Sequence, residues 1–409
     1  MRRFAWASDA VVRLMPVLLL GIAVGGQQTT PTGTPSADTR RVIRMAGARA
    51  DLPYSAGVLS GDTLYLSAQP GRDRVTGREP EGIAAQTQQA MDNIGTVLKS
   101  AGMSFGNLVK CHVYLASMDD YTGMNKVYGS VFGDRVPART TVEAQRLPDG
   151  SGVQIGCVGF RDLARTGVVQ PPRGSLPAPL GPYSAGVWAG DTLYLSGMGG
   201  QFPEDRRLPE PLDQQVAQTL VNVGTTLKAA GLGFADLVSS TVYVTLPGEA
   251  KALAPAYAPP FGAQPLPPRA LVFLPRLPGA IKTEMTFIAA RPSEARRAIN
   301  TDRQGTGAMR GLLAGRTLYT RAEMASEAGG PFEEQFRDVL RRLGTTLEDA
   351  GLTWTHVAHV QVYLADLADL PSLDKLFRER FPSAPPARTV VEVLPGAPGR
   401  VHASLVAVR

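Results

Sequence analysis

The chain has few of the residues on which metal sites and disulfide scaffolds depend, since its 409 residues include four histidines and two cysteines. His356 and His359 lie in or just before a strand pattern, where a spacing of three points side chains to opposite faces. This pair therefore does not favour a metal site, and no metal is expected. Ser67 and Ser196 have no histidine nearby in the sequence, so a serine-hydrolase triad is not indicated.

Long apolar runs and basic clusters are also scarce. The apolar stretch Leu14–Val24 is shorter than the ~20 residues of a membrane helix. Because it follows Arg2 and Arg3, it has the layout of a signal peptide, with an uncleaved anchor as the alternative. We predict a leader over residues 1–26, a disordered spacer over 27–41 and a secreted or periplasmic location, with no membrane contact after cleavage. The net charge is +6, but the sequence contains no run of basic residues with interleaved aromatics. This argues against a nucleic-acid partner.

The two cysteines, Cys111 and Cys157, both lie within strand patterns of the first third of the chain. Export would permit a disulfide between them. We nevertheless favour two buried, unpaired thiols that act as small hydrophobic residues.

What the chain does contain is a threefold internal repeat. Gly102, Gly231 and Gly351 each close a helical pattern and are separated by 129 and 120 residues, which is the size of a small domain. Pro53–Val58 and Pro182–Val187 are identical in sequence. The sequence predicts domains over residues 42–163, 174–291 and 303–409, the third degenerate, joined by proline-containing linkers.

Each unit carries the same succession of patterns. Two alternating strands precede a helix such as Ile83–Ser100, and a further strand, a short helix and a closing strand follow. The order β-β-α-β-α-β predicts an α+β domain with its helices on one face of the sheet. The other face must be buried, so we expect the three sheets to pack around a pseudo-threefold axis within one monomeric chain.

One arginine follows a proline turn in every unit: Arg139, Arg269 and Arg388. An arginine at the mouth of a strand can hold a carboxylate with two parallel hydrogen bonds. The alternative is a surface arginine at a strand edge, but three copies in register favour a shared role.

These features together resemble the RidA (YjgF/YER057c/UK114) family of reactive-intermediate deaminases over nearly the whole chain after the leader. The resemblance implies a chorismate-mutase-like fold, ligand sites between units, and cofactor-free hydrolysis of enamines and imines to a keto acid and ammonia. It also implies a role for individual residues. The carboxylate-binding arginine falls on Arg139, Arg269 and Arg388, and the other ligand contacts fall on Tyr54, Tyr183, Ser67, Ser196, Gly197 and Asn125. Degenerate positions are Met309 and Arg321.

The water-activating glutamate of the family falls only on Glu284, with Gln154 and His402 at the corresponding positions. We therefore expect Arg269 to hold the carboxylate and Glu284 to activate water, with help from an unidentified neighbouring unit. Gln154 can orient water but cannot accept its proton. His402 could act as a base, although a solvent-facing strand histidine is favoured. A module that only binds small carboxylates, or an interaction scaffold, remains the alternative to an imino-acid deaminase.

Overall fold

The computed structural model of the chain describes residues 40–45, 47, 52–301, 309–396 and 398–409. The predicted leader and most of the predicted spacer lie outside these residues and stay predictions. Within the described ranges, none of the helices is both long and apolar enough to span a bilayer.

The elements fall into three similar groups. The first unit contains β1 Arg40–Ile43, β2 Gly57–Ser60, β3 Thr63–Leu66, β4 Gln69–Pro70, α1 Ile83–Ser100, β5 Leu108–Leu115, α2 Tyr121–Ser130, β6 Ala138–Glu143 and β7 Val153–Phe160. The second contains β8 Thr166–Val169, β9 Gly186–Ala189, β10 Thr192–Leu195, β11 Met198–Gly199, α3 Leu212–Ala229, β12 Leu237–Val244, α4 Leu253–Tyr257, β13 Arg269–Phe273 and β14 Thr283–Ala290. The third contains β15 Arg296–Thr301, β16 Met309–Ala314, β17 Thr317–Thr320, β18 Glu323–Met324, α5 Phe332–Asp349, β19 Val357–Leu364, α6 Leu370–Arg380, β20 Ala387–Glu392 and β21 Val401–Val408.

Each group forms one mixed sheet with the same topology. In the first sheet the order is β1-β2-β3-β7-β5-β6, and only the β5–β6 pair is parallel. The α+β prediction is confirmed, with one addition. The strands β8 and β15 lie in segments that the sequence suggested were linkers, and each pairs with the edge of the following sheet.

The long helix of each unit packs an apolar stripe against its sheet. In α1 this stripe includes Met91, Ile94 and Leu98, all fully buried. The helix ends because Gly102 adopts a left-handed conformation (φ 73°), which lets Met103 N–H donate to the Leu98 carbonyl. The same ending recurs at Gly231 and Gly351.

The opposite faces of the three sheets meet around a pseudo-threefold axis. A central cluster combines equivalent tyrosines from all three units: Tyr114, Tyr243 and Tyr363. Smaller apolar clusters fill each pairwise contact, between the first and second units, the second and third, and the third and first. The predicted intramolecular pseudo-trimer is therefore confirmed.

The prediction of two free thiols is wrong, because Cys111 and Cys157 form a disulfide. They lie directly opposite each other on the antiparallel strands β5 and β7, with Cα atoms 4.1 Å apart. Strand patterns alone do not give this register, which is why the sequence favoured unpaired thiols.

Candidate functional site

The arginine turn of each unit docks onto the next unit. The Arg139 backbone N–H donates to Ser196 Oγ (2.8 Å), and the Gly197 N–H donates to the Arg139 carbonyl (2.9 Å). Arg388 N–H makes the equivalent bond to Ser67 Oγ (2.7 Å). The first unit therefore presents its arginine to the second, and the third unit presents its arginine to the first.

The second unit completes the cycle. The Ala322 N–H donates to the Arg269 carbonyl (3.2 Å), which places Arg269 at the contact with the third unit. Three interfaces result, which we call interfaces 1–2, 2–3 and 3–1 after the units that form them. Each interface contains the arginine that follows the proline turn of the first-named unit.

Every one of these guanidinium groups lies on an aromatic ring of its own unit. The Cζ atoms of Arg139, Arg269 and Arg388 lie 4.8–4.9 Å from the ring centres of Tyr128, Tyr257 and Phe377. In all three arginines, Nη1 is buried and has no hydrogen-bond partner among the described residues. A buried cationic donor without an acceptor is costly, so each interface is suited to an anionic oxygen from a ligand.

The strands also bring three further side chains to equivalent positions. Gln154, Glu284 and His402 lie opposite Tyr114, Tyr243 and Tyr363 of the neighbouring central strand. One interface therefore receives a carboxylate, one an amide and one an imidazole.

Glu284 faces Arg139 across interface 1–2, and both line the same pocket. Only 5% of the Glu284 surface is exposed. Burial raises the pKa of Glu284 to about 7, although Lys110, Arg139 and the Thr141 backbone N–H act in the opposite direction. A carboxyl group with this pKa can take up and release a proton near neutral pH.

The pairing of Arg269 with Glu284 that the sequence suggested is therefore corrected. Both residues belong to the second unit. Arg269 is the first residue of β13 and lies at interface 2–3. Glu284 lies on β14 and at interface 1–2. Two residues of the same unit thus contribute to two different interfaces.

Glycine makes room for the glutamate. A Cβ atom on Gly197 would overlap Glu284 Oε1. Interfaces 3–1 and 2–3 carry Ala68 and Ala322 at this position, and they carry Gln154 and His402 at the position of Glu284. The Gly197–Glu284 combination is present at interface 1–2 alone.

Other predicted contacts also converge on interface 1–2. The Tyr183 ring centre lies 5.6 Å from Arg139 Cζ. A Cβ atom on Gly181 would lie 2.5 Å from Arg139 Nη2 and 2.7 Å from Asn125 Oδ1, so this turn closes tightly over both side chains. Asn125, Tyr183, Ser196 and Gly197 are thus brought together around Arg139.

Sequence reasoning missed Lys110, whose buried ammonium group lies close enough to Glu284 to interact with it electrostatically. Its Nζ donates to Thr140 Oγ1 (2.7 Å), the Leu195 carbonyl (2.7 Å) and Thr286 Oγ1 (2.9 Å). Burial lowers the pKa of Lys110 to about 7, against the opposing effect of Glu284. A lysine inside an alternating apolar strand was the available signal, since lysine is rarely buried without a partner.

Interface 3–1 combines Arg388 with Tyr54, whose ring centre lies 4.7 Å from Cζ. Here Asp374 stands where the first unit has Asn125, and its Oδ1 lies 2.6 Å from Arg388 Nη2. Gln154 lines the same pocket. This interface has a guanidinium clamp but no equivalent of Glu284.

Interface 2–3 is occupied by an ionic network of the protein itself. Glu323, 1% exposed, lies within 3.2 Å of the guanidinium groups of Arg310, Arg321 and Arg342. Burial alone would raise the pKa of Glu323, but these cations bring it below its usual value. Met309, which replaces the tyrosine of the other units, is buried in the apolar cluster between the second and third units.

His402 does not face solvent, contrary to the favoured expectation. It is 7% exposed and lies 5.0 Å from the Tyr363 ring centre, and burial lowers its pKa to about 4. His359 of the histidine pair contacts Thr389 Oγ1 (3.1 Å), and the described residues contain no cluster of three metal-binding side chains.

Comparison with known proteins shows the same threefold pattern. A family model described as endoribonuclease L-PSP matches residues 46–160, 174–291 and 309–399. The 2-iminobutanoate/2-iminopropanoate deaminases of Capra hircus and Homo sapiens are 40% and 39% identical over 124 residues, which is 30% of this chain and 90% of each relative. A RutC family protein of Pyrococcus horikoshii is 37% identical over 111 residues, 27% of this chain and 88% of the relative.

Solved structures give similar matches. RidA from the Antarctic bacterium Psychrobacter is 34% identical, with a TM-score of 0.29, and the alignment covers 30% of this chain and 99% of that one. The YjgF gene product of E. coli is 31% identical, with a TM-score of 0.29 and coverage of 30% and 98%. Since the family model matches most of the sequence in three successive segments, this chain belongs to the RidA family and contains three tandem copies of its unit.

Proposed function

We propose that the chain hydrolyses 2-imino or 2-enamino acids to a keto acid and ammonia, and that interface 1–2 is its active site. One observation carries the proposal: the buried carboxyl of Glu284 shares a pocket with the guanidinium of Arg139. Arg139 Nη1 has no protein acceptor in the part of the chain that the structure describes, so it is available for a substrate carboxylate.

The chemistry requires only these groups and water. Arg139 holds the substrate carboxylate, which places the adjacent imine carbon in the pocket. Ionised Glu284 accepts a proton as water adds to this carbon, forming the C–O bond of a carbinolamine. The same carboxyl returns this proton to nitrogen, which completes the carbinolamine. It then carries the hydroxyl proton to the amino group, so that the C–N bond breaks, the carbonyl forms and ammonia leaves. An enamine substrate first takes up a proton at its β-carbon to give the imine.

The test is the decay of 2-aminoacrylate, generated in a coupled assay, in the presence of the full chain. We expect Arg139→Ala and Glu284→Gln each to lose at least about 100-fold in kcat/KM. The matched control is Arg269→Ala, which removes the equivalent arginine at interface 2–3 and should retain wild-type kcat/KM. Loss of activity in Arg269→Ala with retention in Arg139→Ala would show that the active site had been assigned to the wrong interface.

A binding module without catalysis is the second candidate, because interfaces 2–3 and 3–1 have no carboxylate at the Glu284 position. Calorimetry with propanoate distinguishes the two functions. A pure binding protein should need Arg139 far more than Glu284 and should not accelerate 2-aminoacrylate decay. An interaction scaffold should need neither residue.

We also propose that the protein is exported and works without a nucleic-acid partner. Arg2, Arg3 and the apolar stretch after them support a cleaved leader. The Cys111–Cys157 disulfide adds support, because such bonds persist in oxidising compartments. N-terminal sequencing of the protein from its native host is the test, and a mature start near residue 27 is expected.

A further inference from the structure

The inner faces of the three sheets surround a cavity near the pseudo-threefold axis, which we call the axial cavity. Its volume is about 150 Å³, well above the roughly 10 to 15 Å³ that one water molecule requires. None of the three arginines of the interfaces is among the described residues that line it. The lining includes two sets of equivalent positions on β5, β12 and β19: Lys110, Ser239 and His359, and His112, Thr241 and Gln361.

Two polar atoms of this lining are buried without a hydrogen-bond partner among the described residues, Gln361 Nε2 and His112 Nδ1. Tyr114 O–H donates to Gln361 Oε1 (3.3 Å), so the amide N–H groups need an acceptor elsewhere. Burial lowers the pKa of His112 well below its usual value, and the neutral imidazole can carry its N–H at Nδ1. One acceptor between the first and third units would therefore satisfy both atoms.

The cationic group of the axial cavity is the Lys110 ammonium. Its three hydrogen bonds go to uncharged oxygens of Thr140, Leu195 and Thr286. Outside the cavity lining, Glu284 favours the charged lysine and Arg139 opposes it.

The other titratable groups of the lining are neutral, so they do not balance the charge of Lys110. The described part of the lining contains no aspartate or glutamate. Burial lowers the pKa of His359 to about 4, and it raises the pKa values of all the lining tyrosines: Tyr65, Tyr114, Tyr194, Tyr243, Tyr319 and Tyr363. Water could accept from Gln361 and His112, but it carries no charge. A buried cation without a counter-charge is unfavourable, so an anion suits the cavity better than water alone.

We propose that the axial cavity binds a small monovalent inorganic anion of the size of chloride or nitrate. The anion accepts from Gln361 Nε2 and His112 Nδ1 and offsets the positive charge of Lys110. It contacts side chains of the first and third units, so its binding stabilises the packing of the units around the axis. This site is separate from the three arginine interfaces, and its existence does not depend on the proposed deaminase activity.

The test compares the full chain in sodium bromide and in sodium gluconate at equal ionic strength. Bromide resembles chloride in charge and size and scatters X-rays anomalously, whereas gluconate is a large anion. A ligand that binds only the folded chain stabilises it, so we expect Tm to be higher in bromide by at least about 1 °C. Crystals grown in bromide should give an anomalous peak within hydrogen-bonding distance of Gln361 Nε2 and His112 Nδ1. If the cavity contains only water in these crystals, the proposal is wrong.

Two variants remove the groups that bind the anion. Gln361→Leu removes the amide donor at nearly constant volume, and Lys110→Met removes the charge. Each should lose the Tm difference between bromide and gluconate, whatever its absolute Tm. The matched controls Gln88→Leu and Lys99→Met make the same changes at exposed positions of α1 and should keep the wild-type difference.

Gln361→Leu also separates this site from a general effect of bromide on the protein surface. If this variant keeps both the Tm difference and the anomalous peak, the assignment of the site is wrong. Neither measurement involves turnover, so a chain without deaminase activity would still give a clear result.

Discussion

At the scale of single residues, the contact between Gly197 and Glu284 decides which interface can carry out acid–base chemistry. The glutamate fits only because no Cβ atom projects from residue 197. The other two interfaces have alanine at this position and lack the carboxylate, so the two features change together within one chain. Gly197 does not have a positive φ, so glycine is needed here for the space that a Cβ atom would fill and not for its backbone conformation.

This contact gives the first prediction. In Gly197→Ala, the added methyl group displaces the Glu284 carboxylate, and we expect kcat for 2-aminoacrylate to fall at least about tenfold. Steady-state kinetics and Tm are the measurements, and Tm should fall modestly, because overpacking a buried site costs about 1 to 3 kcal/mol. Ala322→Gly at interface 2–3 is the matched control and should keep wild-type kcat. An active Gly197→Ala variant would argue against Glu284 as the base.

The second prediction concerns pH. Because burial raises the pKa of Glu284 to about 7, the ionised base is lost as pH falls through this value. We expect kcat/KM to fall about tenfold per pH unit below pH 7 and to level off above it. The cationic groups facing Glu284 are the Arg139 guanidinium and Lys110, whose own pKa burial lowers to about 7, so that it titrates in the same pH range. The nearby Tyr121 and Tyr183 stay neutral because burial raises their pKa values.

The pH–rate profile of the enzyme-catalysed reaction, corrected for spontaneous decay, checks this expectation. Glu284→Asp retains a carboxyl group and should keep a residual, shifted profile, whereas Glu284→Gln should have none. A flat wild-type profile between pH 5 and 8 would contradict the role of Glu284.

At the scale of strands and helices, Lys110 on one strand forms hydrogen bonds to three others, so that it links four strands from two units. From β5 its ammonium group binds Thr140 on β6, Leu195 on β10 and Thr286 on β14. It therefore stabilises interface 1–2 and also places positive charge beside the carboxylate of that interface.

The third prediction is that Lys110→Met has two separable effects. Three buried acceptors lose a charged donor, and only the Leu195 carbonyl keeps another, from Thr286 Oγ1. The free energy of unfolding should therefore fall by about 2 to 4 kcal/mol. The pKa of Glu284 should rise further without the cation, so the acid limb of the pH–rate profile should move to higher pH. Urea unfolding and kinetics measure these effects. Lys99→Met, at an exposed position of α1, is the control, and an unshifted limb in Lys110→Met would exclude the electrostatic role.

The disulfide between β5 and β7 gives the fourth prediction. It closes a loop of 46 residues, so its loss should lower the free energy of unfolding by about 4 kcal/mol in the chain-entropy model. Denaturant unfolding of the Cys111→Ala/Cys157→Ala double variant is the measurement. Thiol titration of the native wild type should detect no free thiol. A double variant as stable as the wild type would show that the bond is dispensable.

The limits of sequence reasoning also appear at this scale. The sequence predicted α1 to the residue, since its apolar spacing and Gly102 are both local signals. It could not pair Glu284 with Arg139, because the partner strand comes from another unit and local patterns carry no information about that contact. His402 was misjudged for a similar reason: its burial is produced by neighbouring strands and by Tyr363 rather than by its own segment.

At the scale of the whole molecule, the three interfaces are held together by one covalent chain. An assembly of separate subunits dissociates on dilution, whereas tethered units experience an effective concentration of roughly millimolar. We therefore predict a monomeric pseudo-trimer whose specific activity is constant from about 10 µM to about 1 nM. Light scattering of the full 409-residue chain should give the monomer mass of 43.4 kDa. Activity that declines on dilution would indicate that further association is required.

The linkage of three units in one chain has a consequence for the effect of mutations. In a symmetric trimer of identical subunits, one altered codon changes all three pockets at once, so a change that benefits one pocket is imposed on the others. In this chain each pocket is encoded by its own stretches of DNA. Glu284, Asp374 and Glu323 mark three interfaces that differ, one with a base, one with an internal counter-charge and one with an ionic network. Tandem fusion thus allows a single gene to retain one chemistry while its other two pockets are free to acquire different ones.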